Sequence, residues 1–295
     1  MPRTDALGGG SSVSSLRTYR YVRVSLVASV LLLTVGIGQH LAAVGPLRSI
    51  SAAYYTPSRS IFVGALLAVG VALVVLAGRS VRRFLLLLAG MTAPLIALVP
   101  APLPSDELER LTGTGCTGGA ARCLPAGAIE DIAASLPSYL VVATAVLLVS
   151  LLFLALDRVL DTWAVSRIGV SALLLALLAG WSTQPSFAQL GHYAAAAVFF
   201  LLIAAAAGSH ALAVRSEGVS GPGTARLYAT CYAVLAVLIV LVELVLGVLA
   251  AAGVGRRLLG EHWLLIGEAA ALALFAAFWI LQTVENWNER DASLR

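Results

Sequence analysis

The chain has 295 residues, 60% of them hydrophobic and 12% charged, with a formal net charge of +4, and its mean hydropathy is +0.94. Soluble domains carry about 25% charged residues, so this composition excludes an ordinary water-soluble globule. Every basic side chain is arginine. They sit at the ends of apolar runs, where membrane topology needs them, which argues against a nucleic-acid partner. The reading is one all-α, polytopic transmembrane helix bundle with no soluble block longer than about 30 residues.

Residues 1–20 are Gly/Ser-rich with scattered arginines and predict a disordered cytoplasmic tail. The transmembrane domain occupies 21–287, and residues 288–295 form a second cytoplasmic tail. The first apolar run, 22–44, is long for a signal peptide and lacks an A-x-A cleavage site, so it reads as a retained helix. Further runs follow at 60–78, 84–103, 136–156, 163–181, 190–214, 224–252 and 262–284. A spanning helix needs about 20 apolar residues. The fifth run is the weakest, with Arg167 near its start and Pro185 after its end. Eight spans with both termini inside leave Arg48, Arg59, Arg110, Arg122, Arg256 and Arg257 outside and every other arginine within or inside. Without the fifth span, Arg215, Arg226, Arg290 and Arg295 move outside and the positive-inside bias weakens. Pro94, Pro100 and Pro102 should kink or end the third span. Alanine runs at 194–197 and 204–207 suit the sixth to close packing. The Leu/Val-rich seventh, around Glu243, should face lipid on most sides. No repeat suggests the paired halves of a transporter.

Cys116 and Cys123 lie in the outer loop 104–135, in a short glycine-containing segment that fits a disulfide in an oxidising compartment. Free thiols or an incomplete metal pair are the alternatives. Cys231 reads as a small core residue.

The segment 49–64 is dense in polar side chains for a short loop: Ser49, Ser51, Tyr54, Tyr55, Thr56 and Arg59. An interfacial aromatic belt and a helix start at Pro57 explain part of it. Opposite it, at similar depth on other helices, stand His40, His192, Glu243 and Glu268. Glu268 lies about 9 Å below the outer end of its span at 1.5 Å per residue. Acids inside hydrocarbon cost about 2.5–3.5 kcal/mol and usually face protein or water with a partner. These residues outline an outward-facing pocket for a lipid headgroup or amphipathic small molecule. Ser49, Ser51, Tyr54, Tyr55 and Arg59 form its lid, and His192, Glu268 and Glu243 its floor. Structural pairing, including an Arg59–Glu268 ion pair, explains the same residues. Two further readings are a lipid-acting hydrolase, with His192 and Glu268 as metal ligands or as general acid and base, or with Ser51, His192 and Glu268 arranged for acyl transfer, and a transporter moving protons through Glu243 and Glu268. No paired-histidine motif is present, so no metal and no cofactor are assigned. His210 reads as structural, and Trp279, Gln282, Glu285, Asn286 and Trp287 as an anchor at the inner interface. Membrane lipids are the expected partners.

The stretch 49–64 resembles a group of uncharacterised bacterial multi-pass proteins with an S-I-S-x-Y-Y-x-T-x-x-R-D-x-F-V-G signature before a helix. His192 through Phe200 and Glu268 through Trp279 echo two further features of that group. Ser60 stands where the group usually has Asp. The group is distantly similar to the Frag1/DRAM/Sfk1-type membrane proteins, linked to lipid and membrane homeostasis. A fainter similarity runs to the alkaline ceramidase superfamily, whose histidine-rich zinc site is not matched. The resemblance implies a bacterial plasma-membrane protein.

Overall fold

The computed structural model describes residues 8–219 and 223–287, so the expected tail 288–295 and the first seven residues lie outside it. The described chain is a helical bundle. Its helices are α1 (Gly8–Ala43), α2 (Arg59–Val75), α3 (Val81–Leu98), α4 (Ser105–Thr112), α5 (Ala126–Leu156), α6 (Thr162–Ser182), α7 (Pro185–Glu217), α8 (Ala225–Ala251), α9 (Gly255–Leu259) and α10 (Trp263–Glu285). Seven of them are long and apolar enough to cross a membrane, and α2 is a shorter apolar helix of 17 residues. The protein is therefore a multi-pass membrane protein. Helices are what such sequences must form, because every backbone polar group in hydrocarbon has to be satisfied within the segment.

Local chemistry sets the helix ends. Ser80, Asp161 and Thr224 accept the N–H of Arg83, Ala164 and Leu227, respectively, as side-chain N-caps of α3, α6 and α8. Pro185 occupies the first turn of α7, where its missing N–H costs nothing. The interrupted fifth run thus becomes a full helix, α6. Arg167 is accommodated with its guanidinium 5.6 Å from the Phe84 ring. Three boundaries differ from the sequence reading. Helix α1 begins at Gly8, inside the stretch expected to be disordered, because a nucleated helix propagates at one hydrogen bond per residue. Helix α5 begins at Ala126, inside the expected loop, and carries Pro137 within it. Helix α3 retains Pro94 and stops at Leu98, before Pro100 and Pro102.

Six helices close a ring in which α1 packs on α2, α2 on α3, α3 on α7, α7 on α8, α8 on α10 and α10 back on α1. The α5–α6 pair attaches outside, α5 to α3 and α6 to α7. At the α2–α3 contact, Gly70 and Gly90 let the backbones touch: a Cβ on Gly90 would lie 2.9 Å from the Gly70 carbonyl oxygen. Buried side chains such as Leu73, Ile203, Ile239 and Phe275 fill the interior. By contrast Val141, Leu148 and Phe153 of α5 and Val237 and Leu244 of α8 are exposed, far more apolar surface than water tolerates and suited to lipid. Cys231 of α8 is half-buried.

Everything between the long helices at one end, here the upper end, is knit together. A two-residue strand β1 (Leu103–Pro104) pairs antiparallel with β2 (Arg122–Cys123). Cys116 and Cys123 form a disulfide with Cα atoms 5.8 Å apart. A 3-10 turn (Ser51–Tyr55) lies beneath this cap.

Candidate functional site

The termination of α3 creates the first half of the site. Val99 N–H closes the last turn on the Leu95 carbonyl (2.9 Å), and the proline-rich run 99–102 that follows leaves its own carbonyls without a regular ladder to pair them. Side chains from elsewhere take that role. Tyr55 Oη donates to the Ala101 carbonyl (2.8 Å), Tyr193 Oη to that of Pro102 (2.8 Å), and His192 Nδ1 to that of Val99 (2.7 Å). A carbonyl can only accept, so the proton of neutral His192 sits on Nδ1 and its Nε2 is an acceptor.

The second half comes from α10. Leu265 N–H donates to the Arg48 carbonyl (2.9 Å), stapling the loop before the 3-10 turn onto α10. Three residues further on, Glu268 accepts the N–H of Ile50 and, at 3.3 Å, that of Ser51, while its other oxygen meets Ser51 Oγ at 2.9 Å. A carboxylate from another helix thus caps the turn. Ser49 caps it from within, its Oγ accepting the Ala52 N–H at 3.1 Å.

Ser51 joins the halves. Its Oγ lies 2.8 Å from His192 Nε2 as well as 2.9 Å from Glu268 Oε1. A hydroxyl has one hydrogen and cannot donate to both. Both contacts are hydrogen bonds only when a further proton is present, on Glu268 with His192 neutral or on His192 with Glu268 ionised. This is not the order of a hydrolase triad, in which the acid orients the histidine through Nδ1. Both imidazole nitrogens have protein partners, and among the described residues no three His, Cys, Asp or Glu side chains converge as a metal site would require.

The remaining candidates separate. Glu243 of α8 is half-buried, makes no hydrogen bond or ion pair among the described residues, and faces a crevice between α7, α8 and α10. That crevice has a volume of about 610 Å³ and is also lined by His192, Glu268, Arg122 and Arg256. Small residues, Ala196, Ala197, Gly247 and Ala250, make up much of its apolar wall. Tyr54 and Arg59 turn away from it. Arg59 pairs with Asp131 of α5 (2.7 Å), stacks 4.1 Å from the centre of the Tyr54 ring and donates to Tyr54 Oη. No Arg59–Glu268 pair forms, and Arg59 does not cover the His192–Glu268 floor. Burial first, and then the hydrogen bond to Asp131, pushes the Tyr54 phenol up to about 12, so it remains a donor. Burial likewise raises Tyr55. His40 is buried near the end of α1, with no hydrogen-bond partner for its Nε2 among the described residues.

Two contributors escaped the sequence reading. Asp131 lies in what read as a loop. Arg122, which donates to Tyr193 Oη at 2.9 Å, lies in the disulfide loop. Its place in the eight-residue segment 116–123, pinned by two cysteines, is the one signal that points to it. Above the crevice, Arg48 and Arg256 share Asp106 and Glu261 in a charged cluster. No family model, curated protein or solved structure matches the chain.

Proposed function

We propose that the chain spans the plasma membrane eight times with both ends in the cytoplasm, and that its α7–α8–α10 crevice binds a lipid headgroup or another amphipathic small molecule from the outer side. Two features support the span count. Arg20 donates to the Trp287 carbonyl at 2.7 Å, so α1 starts and α10 finishes at the same end of the bundle, which calls for an even number of crossings. The short helix α2 is then the eighth, adequate at about 26 Å for a thinned or tilted layer.

The observation that carries the binding reading is Glu243. An acid in the spanning segment, without a hydrogen-bond or ion-pair partner among the described residues and facing a crevice shared with Glu268 and Arg122, is costly unless something enters to meet it. A head carrying a hydroxyl or amine would donate to Glu243, an acidic group would meet Arg122, and an acyl chain would lie along the alanine and glycine wall. The test is mass spectrometry of lipids copurifying from native membranes with the wild type, Glu243→Gln and Glu268→Gln. A specific lipid retained by the wild type and lost from Glu243→Gln supports binding. Identical profiles overturn it. A lipid converted only by the wild type transfers the assignment to a hydrolase.

The shared proton favours a second reading, proton-coupled transport through Glu243 and Glu268. Ligand-dependent acidification inside proteoliposomes, absent in Glu268→Gln, distinguishes it from binding alone.

A further inference from the structure

The lower end of the bundle repeats the chemistry of the upper one. Glu285 of α10 is 3% exposed and accepts from His210 Nε2 (2.9 Å) and Tyr232 Oη (2.6 Å). Glu268, with His192 and Ser51, is the same set of an acid, an imidazole and a hydroxyl. The acids stand 17 residues apart on α10 and the histidines 18 apart on α7. About 26 Å therefore separates two like centres along the same pair of helices.

Between them lie two cavities in series, each lined by α1, α2, α3, α7 and α10. The upper, of about 70 Å³, hangs below Ser51 and Glu268, is otherwise almost wholly apolar, and reaches down to Ser29 of α1 and Phe275 of α10. The lower, of about 60 Å³, begins at Trp279 and is bounded by His210, Glu285 and Arg23. A further cavity of about 70 Å³ reaches Ser51 and Glu268 from above.

Helical register identifies what divides the two. Residues three or four apart share a helix face. Leu26 stands on one face between Ser29 of the upper cavity and Arg23 of the lower, Leu73 between Val69 and Leu76, and Ile203 between Phe199 and His210. All three are 0% exposed and border neither cavity. Phe275 and Trp279, one turn apart on α10 with ring centres 6.2 Å apart, complete the plug. The seal is thin, since Arg23 and Ser29 are about 9 Å apart along α1. An apolar constriction of this kind shuts a pathway by excluding water and opens it when water enters.

We propose that the ring encloses a gated proton path between Glu268 and Glu285, closed in this structure by Leu26, Leu73, Ile203 and the Phe275–Trp279 pair. The cavities have room for a few waters and none for a larger solute. Acids and histidines inside a membrane bundle serve as proton relays because each takes up a proton and hands it on. With the seal wetted, a proton from the upper side neutralises the Glu268 carboxylate, moves along the water to the Glu285 carboxylate and leaves by the lower cavity. Both acids are regenerated and nothing else is consumed. Arg23, Arg82, Arg83 and Glu217 line the lower cavity too. Positive charge there opposes a metal cation or free hydronium, so the proton crosses that level on Glu285 as a neutral carboxyl. The contacts of Glu285 with His210 and Tyr232 both fall on Oε2, which leaves Oε1 to take it. The path shares Glu268 with the crevice but uses neither Glu243 nor a bound lipid, so its failure leaves lipid binding and ligand-driven transport untouched.

The experiment uses the full chain in sealed proteoliposomes with a pH-sensitive dye inside, and reads proton entry driven by a potassium–valinomycin potential. Leu73→Ala should raise the flux about tenfold or more over the wild type by letting water into the seal. Leu26→Ala should do the same and tests the seal even if Leu73→Ala does not fold. Ile239→Ala, equally buried on α8 but bordering neither cavity, should leave the flux at the wild-type level. Adding Glu268→Gln or Glu285→Gln to a leaking variant should return it to that level. The proposal is overturned if neither leucine variant raises the flux, if Ile239→Ala raises it as much, or if the raised flux survives Glu268→Gln.

Discussion

Glu268 holds Ser51 by two different groups, its backbone N–H at 3.3 Å and its hydroxyl at 2.9 Å, from a position 217 residues away in the chain. That double contact makes the upper loop part of α10 rather than a cover lying over it, and it makes amide and apolar replacements of Glu268 behave differently.

Glutamine has the shape and hydrogen bonding of the protonated acid. In Glu268→Gln the amide oxygen still accepts from Ile50 and Ser51, and the NH2 donates to Ser51 Oγ, which is then free to donate to His192. The melting temperature should stay near that of the wild type. Glu268→Ala strands the two backbone N–H groups and should cost about 1–3 kcal/mol for each one left buried. Thermal unfolding of both variants in one detergent checks this, and an equal loss in the two would refute the network as drawn.

The disulfide closes a short loop that holds β2, and Arg122 with it, against β1. Replacing both Cys116 and Cys123 by Ser should cost about 2.5 kcal/mol, the chain-entropy value for a loop of this length. It should also weaken any ligand that depends on Arg122. In intact cells, a membrane-impermeant thiol reagent should label neither cysteine before reduction and both after it. Labelling only once the cells are broken would reverse the proposed orientation.

Asp106 carries a sign-definite dependence on pH. Its hydrogen bond from Arg48 holds the carboxyl below its ordinary value of 3.8. A depressed carboxyl contributes stability that is complete above its unfolded pKa of about 3.9 and is lost as pH falls through the folded value. In Arg48→Gln the share of that contribution owed to Arg48 should vanish, Arg256 and the Glu107 N–H still acting on Asp106, so the variant's deficit relative to the wild type should shrink as the pH drops below about 4. The side chain is 51% exposed, so the effect is small and screened by salt. A deficit that grows on acidification would contradict the pairing.

Spans and polar depth were legible in the sequence because both follow from counting along helices. The runs of Leu, Val and Ala mark α1, α2, α3, α5, α6, α7, α8 and α10. Fixed rise per residue brings Ser51, His192 and Glu268 to one level, where they do meet. What counting does not give is rotation about each helix. Depth along the chain places Arg59 in the lid over Glu268, or in an ion pair with it, but its side chain points to Asp131, in a stretch that reads as loop. For the same reason Glu285 reads as an interfacial anchor and His210 as a structural residue, although the two meet at 2.9 Å. Trp279, Asn286 and Trp287 around them resemble an interfacial belt, and nothing in a linear pattern turns Glu285 inward to Tyr232.

Helix α7 carries His192 near its upper end and His210 near its lower, 18 residues or about 27 Å apart. Between them Phe199 and Ile203 are buried beside Ala204, Ala206 and Ala207, and the Phe199 ring centre lies 5.6 Å from that of Phe275 on α10. One rod is therefore held by polar contacts at both ends and by apolar packing in between. A slide of α7 by a fraction of a turn breaks the Val99–His192–Ser51 contacts and the His210–Glu285 contact in the same movement, so neither polar centre can be released without disturbing the other.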